Sequence, residues 1–147
     1  MSEHIVDVGK RHIKEINEEI QEAAGQGKEI RVVNTLSRHN LGVGLPDGTK
    51  IAFEGSVGYY CGGLNVGATI DIERNAGWAC GEGMSKGHIT VGGYCGMSCG
   101  AAMMGGTIHV DSEPGSGSTF HFTATFGVGA GSAEKVFGTA PISRASA

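Results

Sequence analysis

A repeat of 19 residues constrains the fold of this chain more than any other feature of its sequence. Isoleucine recurs at positions 51, 70, 89 and 108, and a second apolar residue follows two positions after each isoleucine. The residue between the two is small or polar in every copy. This alternation is typical of a β-strand with one buried face. The two predicted core columns are Ile51, Ile70, Ile89 and Ile108, and Phe53, Ile72, Val91 and Val110.

Glycine and cysteine recur with the same spacing. Glycine makes up 27 of the 147 residues, far above the usual share of roughly 7%. The corners of a narrow coil need positive φ and close approach of backbones, which glycine supplies without strain. We therefore predict structural corners at the glycines seven positions after each isoleucine, and a third core column at the cysteines ten positions after. These residues are Gly58, Gly77, Gly96 and Gly115, and Cys61, Cys80 and Cys99.

One strand and one glycine corner per repeat predict a parallel β-solenoid. Each turn of such a fold stacks on the previous turn at about 4.8 Å, so equivalent residues form columns. A glycine-rich linker has no need for columns. We expect a mainly β protein, a right-handed parallel β-solenoid (β-helix) of about four 19-residue turns with an N-terminal amphipathic helix.

Three segments are expected along the chain. Residues 1–50 are predicted to form an N-terminal helix and strand cap, since residues 10–24 place isoleucines on one helical stripe. Residues 51–126 are predicted to form the glycine-rich β-helix, closed by a C-terminal strand in which Phe120, Phe122, Ala124 and Phe126 alternate. Residues 127–147 are predicted to be a flexible tail, because 12 of these 21 residues are Gly, Ala or Ser.

Charge and hydropathy exclude some partners. The chain has 11 Lys and Arg against 15 Asp and Glu and no basic block, which argues against nucleic acid. No stretch of the sequence resembles a signal peptide, and no apolar run approaches the roughly 20 residues that cross a bilayer. We expect a cytoplasmic protein without a membrane partner, whose cysteines are free thiols by default.

The cysteine column allows three interpretations. A buried thiol ladder is favoured, because unpaired cysteine behaves as a small core hydrophobe. A disulfide between adjacent turns is the main alternative, since neighbouring Cα atoms lie within bridging distance. A metal site is disfavoured even with Cys95 four residues before Cys99, because zinc needs four converging ligands and a column points its side chains in parallel. No catalytic, cofactor-binding or metal site is predicted.

Two sets of residues are candidates for partner contact. Tyr59, Trp78 and Met97 share a column eight positions after the isoleucines, for which core packing is expected first and a partner surface second. The polar stretch of Arg38, His39 and Asn40 is predicted to be an exposed turn that contacts a partner, with a satisfied loop network as the alternative.

The order of these motifs resembles a known family. "SRHNLGVGL" (37–45) precedes "IAFEGSVGYYCGGLN" (51–65), "NAGWACGEGMSKGHITVGG" (75–93) and "GMSCGAAMMGGTIHV" (96–110). Over about residues 3–110 the chain resembles the glycine-repeat (GXGXG) β-helix domain at the C-terminus of the glutamate synthase large subunit. It looks most like the version that is a free subunit of N-methylglutamate synthase. A subunit of formylmethanofuran dehydrogenase contains the same domain.

This resemblance implies a scaffold rather than an active site. In that family the amidotransferase, flavin and iron–sulfur centres belong to other domains or subunits. The implied function is a noncatalytic assembly subunit of a glutamate synthase type complex, with the amidotransferase and flavin subunits as partners and no cofactor of its own. Ser2 stands where an amidotransferase would have its nucleophilic cysteine.

Residues 105–126 resemble a different family. "GGTIHVDSEPGSGSTFHFTATF" is similar to the end of the ATP-binding domain of sensor histidine kinases. The phospho-acceptor histidine segment, the Asn-bearing helix and the first Asp-x-Gly-x-Gly box of that family are missing. The alternatives to a scaffold subunit are therefore a remnant of such a kinase domain, or a free-standing β-helix that binds a partner or self-associates.

Overall fold

The structure is a computed structural model of the 147-residue chain. It describes residues 2–111 and, beyond them, only the backbone of four strand segments. Strands and one helix alternate first, and strands alone follow. The elements are β1 (Glu3–Asp7), α1 (Ile13–Gly25), β2 (Glu29–Val33), β3 (Lys50–Phe53), β4 (Val66–Ile72), β5 (Lys86–Val91), β6 (Thr107–Asp111), β7 (Ser118–Thr123), β8 (Thr125–Phe126), β9 (Lys135–Val136) and β10 (Ser143–Arg144).

Strands β1 to β6 form a parallel sheet in chain order, which confirms a β-solenoid of about four turns. Ile51 pairs with Ile70, Ile70 with Ile89 and Ile89 with the isoleucine of β6. The 19-residue period of the sequence is therefore the separation between residues that pair in adjacent strands. In the predicted isoleucine column the exposed fraction is at most 3%, and in the second column it is at most 1%. Both columns lie in the core: Ile51, Ile70, Ile89, Ile108, Phe53, Ile72, Val91 and Val110.

The first part of the coil departs from the 19-residue period. Glu3 of β1 pairs with Glu29 of β2, and α1 lies in the connection between these two strands. Ile30 then pairs with Ile51, a step of 21 residues. Strand β1 was not predicted, although "EHIVDV" contains a short alternation. Its single buried strand residue, Val6, is too weak a signal in isolation.

Helix α1 covers the first part of the sheet with one face. Ile16 and Ile20 are fully buried, as the predicted stripe requires. The helix begins at Ile13 rather than at Lys10, because His12 has extended backbone and its Nδ1 accepts a hydrogen bond from the Lys14 N–H (3.2 Å). No helix among the residues that the structure describes combines the length and the apolar character needed to cross a membrane.

Strand β7 covers the other end of the parallel sheet. It pairs antiparallel with β6 and places Phe120 opposite Val110 and Phe122 opposite Ile108. Phe126 falls in the separate strand β8, and Ala124 lies outside the described residues. In the segment 127–147, expected as a flexible tail, the structure describes only β9, which pairs with β8, and β10, which pairs with β7.

The corner glycines have one of the two roles predicted for them. Gly58, Gly77 and Gly96 do not have positive φ, so that part of the prediction was wrong. Positive φ occurs further along each corner, for example at Tyr60 (67°) and Ala79 (60°), which both lie in turns. The predicted close approach is confirmed at these three glycines, because a Cβ at any of them would overlap the turn before it. Gly115 lies outside the described residues.

The buried isoleucine column predicts a severe effect for Ile89→Asp. A carboxylate at this position, where only 1% of the side chain is exposed, would have no partner in the apolar core. We expect a loss of at least about 4 kcal/mol in the free energy of unfolding, measured by circular dichroism during thermal or urea denaturation.

A matched control is Ile5→Asp, the same substitution at a residue that is 53% exposed on β1. We expect this variant to lie within about 1 kcal/mol of the parent. Equal melting curves for Ile89→Asp and the parent would contradict the register of the coil.

Candidate functional site

The polar stretch 38–40 joins parts of the chain to one another. The Arg38 guanidinium donates hydrogen bonds to the backbone oxygens of Gly9 (3.0 Å) and Arg11 (2.9 Å), and so holds the connection between β1 and α1. The Asn40 carbonyl oxygen accepts from the Asn17 amide on α1 (2.6 Å). Arg38 and Asn40 thus belong to the satisfied loop network that was the alternative to a partner contact.

His39 has a different environment from its two neighbours. Its Nδ1 accepts a hydrogen bond from the Tyr59 N–H (2.8 Å), which fixes the ring next to the following turn. The imidazole stacks on the Tyr59 ring, with centroids 4.2 Å apart. His39 is therefore the first member of the column that Tyr59, Trp78 and Met97 continue.

These four residues form a surface that we call the aromatic column. The Tyr59 and Trp78 rings are nearly parallel, at 6° and 5.2 Å between centroids. Met97 occupies the next position of the repeat. The exposed fractions are 45% for Tyr59, 52% for Trp78 and 69% for Met97, so the expectation that this column packs in the core was wrong. The strand alternation that would point these side chains inward ends at the corner, where the turn begins at Tyr59.

The corner glycines provide the space in which the aromatic column stacks. A Cβ at Gly77 would lie 2.8 Å from Cδ1 of Tyr59, and a Cβ at Gly96 would lie 2.6 Å from Cδ1 of Trp78. A Cβ at Gly58 would likewise overlap the His39 ring. Each ring thus lies against the glycine of the following turn. The column of corner glycines and the aromatic column therefore pack against each other.

The aromatic column differs in composition from the outward face of the sheet. That face carries ion pairs, such as Arg31 with Glu3 (2.8 Å) and with Glu54 (3.6 Å). The aromatic column contains no carboxylate, lysine or arginine, and Tyr94, three residues before Met97, is also 61% exposed. An exposed apolar surface beside a charged one is typical of a protein interaction site.

All four cysteines are free thiols, and three of them form a cluster beside the same corners. Cys61 and Cys80 are fully buried, whereas Cys99, expected in the same buried column, is only partly buried. Cys95 is also partly buried and packs against the core. We call Cys80, Cys95 and Cys99 the thiol cluster. Within residues 2–111 and the short described strands, no group of three or more His, Cys, Asp or Glu is arranged to hold a metal ion.

Hydrogen bonds between sulfurs distinguish the members of the thiol cluster. Hydrogen bonding with Cys95 and with Cys99, together with burial, raises the pKa of Cys80. For Cys95, hydrogen bonding with Cys80 lowers the pKa, but hydrogen bonding with Cys99 and burial leave it raised. Hydrogen bonding with both neighbours lowers the pKa of Cys99, although burial opposes this. Cys99 is therefore the sulfur of the cluster that holds negative charge best.

The place of Cys95 in this cluster was missed from the sequence. Cys95 continues the column of Val57 and Ala76, which are linked to it through β-bridges and are both 3% exposed. Cys95 lies six residues after the inward-facing Ile89, and residues an even number of positions apart in a strand face the same side. This spacing was the available signal in the sequence. Spacing along the chain did not show that two inward columns meet across the corner.

The comparisons with known proteins give no relative. No protein-family model matches the chain, no curated protein is similar to it, and no solved structure matches it. The resemblance to the glutamate synthase β-helix domain stays a prediction from the sequence motifs.

The packing of rings on glycines predicts that Gly77→Ala destabilises the protein. The added methyl group would lie 2.7 Å from the Gly58 carbonyl carbon and 2.8 Å from the Tyr59 ring. We expect a loss of about 1–3 kcal/mol in the free energy of unfolding, measured by urea denaturation. Because Trp78 is the single tryptophan, its near-ultraviolet circular dichroism should change as well.

Gly25→Ala is the control for this substitution. Gly25 ends α1, and a Cβ there would meet nothing within 4 Å. We expect this variant to be as stable as the parent or slightly more stable. A Gly77→Ala variant with unchanged stability and unchanged Trp78 signal would refute the packing of the rings on the glycines.

Proposed function

We propose that this protein is a noncatalytic scaffold subunit that binds a protein partner through the aromatic column. The observation that carries the proposal is the exposure of Tyr59, Trp78 and Met97 in one row along successive turns. Aromatic residues and methionine are enriched in protein interfaces, and a contiguous exposed apolar surface is rare without a binding role. The proposal therefore concerns binding and assigns no reaction to the chain.

The arrangement of the rings suits tight binding. His39 is held by the Tyr59 N–H, and Tyr59 lies between His39 and Trp78. Side chains that are already ordered lose little conformational freedom when a partner covers them. The backbone beneath is ordered too, because the corner amides of Asn40 and Tyr60 donate to the carbonyls of the next turn at 2.8 Å.

The partners we propose are the amidotransferase and flavin subunits of a glutamate synthase type complex, with N-methylglutamate synthase as the narrower candidate. The support is the resemblance of about residues 3–110 to the glycine-repeat β-helix domain, together with the β-solenoid fold. The proposal includes right-handed coiling, the usual hand of crossovers between parallel strands. It also includes a cytoplasmic location, where cysteines remain reduced.

Trp78→Ala tests the proposal. Trp78 lies in the middle of the aromatic column, and a central interface tryptophan commonly contributes at least about 2 kcal/mol to binding. We expect binding of the coexpressed amidotransferase and flavin subunits to weaken at least about 30-fold, measured by copurification and by calorimetry with the isolated subunits.

The matched control is Leu64→Ala, another half-exposed apolar residue (50%) that lies outside the aromatic column. We expect it to bind like the parent, and thermal melts should show both variants folded. Failure of the parent chain to bind these subunits would refute the proposed complex. In that case light scattering of the chain alone would show whether the aromatic column mediates self-association, with Trp78→Ala giving the monomer.

A further inference from the structure

We infer that the thiol cluster is a peroxide-sensitive redox site in which Cys99 is oxidised and Cys80 then closes a disulfide with it. This site is separate from the aromatic column and does not depend on the proposed scaffold function. It concerns a modification of the protein itself, with a hydroperoxide as the oxidant.

The stacking of turns brings Cys80 and Cys99 into position for a disulfide. They occupy the same position of consecutive turns, and the Gly100 N–H donates to the Cys80 carbonyl oxygen at 2.8 Å. Adjacent turns lie about 4.8 Å apart, which is within the range of roughly 4.4–6.8 Å that Cα atoms of a disulfide span. Their thiols lie close enough for each to shift the pKa of the other. No change of the strand register is needed to form the bond.

Within the column of Cys61, Cys80 and Cys99, exposure determines which sulfur an oxidant reaches first. Cys80 is fully buried, whereas Cys99 is partly exposed, and its neighbours Cys80 and Cys95 lower its pKa. Cys61 belongs to the same column but lies one turn before Cys80. The turn that precedes Cys61 covers it, and the Gly62 N–H donates a hydrogen bond to the Leu41 carbonyl oxygen (3.3 Å). Both Cys61 and Leu41 are fully buried. An oxidant therefore reaches the column at Cys99.

The proposed reaction has two steps and consumes one hydrogen peroxide. The Cys99 thiolate attacks one peroxide oxygen, the O–O bond breaks, and the leaving hydroxide takes the proton that Cys99 released to form water. Cys99 is then a sulfenic acid. The Cys80 sulfur attacks the Cys99 sulfur, the S–O bond breaks, and the departing hydroxide takes the Cys80 proton to form a second water. The two thiols supply the two electrons that reduce the peroxide.

Peptide mapping of the intact, folded chain tests the pairing. Trypsin cleaves after Lys50, Arg74, Lys86 and Lys135, which places Cys61 in 51–74, Cys80 in 75–86, and both Cys95 and Cys99 in 87–135. After treatment with stoichiometric hydrogen peroxide and blocking of free thiols, we expect a reducible cross-link between 75–86 and 87–135. The cross-linked species should be lighter than the sum of the two peptides by two hydrogens.

Four single substitutions identify the two sulfurs. Cys99→Ala should abolish the cross-link, and Cys80→Ala should abolish it while leaving a Cys99 sulfenic acid that dimedone labels. Cys61→Ala and Cys95→Ala should retain it. Alanine is already present at position 76, one turn before Cys95 in the same column, so Cys95→Ala fits the packing. Circular dichroism shows whether each variant is folded.

The peptide map of the parent chain also decides the inference without any variant. A disulfide confined within 87–135 would show that Cys95 is the partner of Cys99 and would overturn the role of Cys80. A link between 51–74 and 75–86 would overturn the role of Cys99. Thiols that react with peroxide only after unfolding in urea would overturn the site altogether.

Discussion

The in-register stacking of parallel turns determines the other features of this structure. It extends beyond the strands, because corner amides also donate to the carbonyls of the following turn, as Tyr60 does to Trp78 and Ala79 to Met97, both at 2.8 Å. A corner bonded in this way has little freedom to change its length or conformation between turns. Each residue therefore has the equivalent residue of the adjacent turn as its neighbour, and any property repeated in the sequence becomes a column in space.

Glycine at the corner and the exposed aromatic column are consequences of the same stacking. A ring in one turn can lie flat only if the next turn offers backbone without a side chain, and Tyr59 over Gly77 satisfies this condition. The strand columns supply the buried apolar area that stabilises the fold, so the rings remain available at the surface. In this protein the core and the candidate binding surface are thus built by different positions of one repeat.

The reactivity of the cysteine thiols depends on their tertiary contacts. The interpretation of a buried ladder holds for Cys61 and Cys80, which are fully buried. At Cys99 the column reaches a partly exposed position, and Cys95, which pairs with Ala76, is a neighbour of Cys99 there. A thiol that is inert as a core residue acquires hydrogen-bonding partners there, which changes the pKa of all three sulfurs. Sequence spacing predicts the column and not this convergence.

The strand register and the two apolar columns follow from the sequence alone, because a strict period makes residues equivalent and an alternation of two shows which of them face inward. The conformation of the segments between the strands depends on packing in three dimensions. The period does not say which corner residue has positive φ, or that Tyr59 and Trp78 point outward, since the chain leaves strand geometry there. The 19-residue period also does not extend to β1 and α1. The connection from β1 to β2 is longer and contains α1, which is stabilised by packing on the first turns. The sequence repeat specifies which residues are neighbours in adjacent turns. The direction of each corner side chain follows from how those neighbours pack.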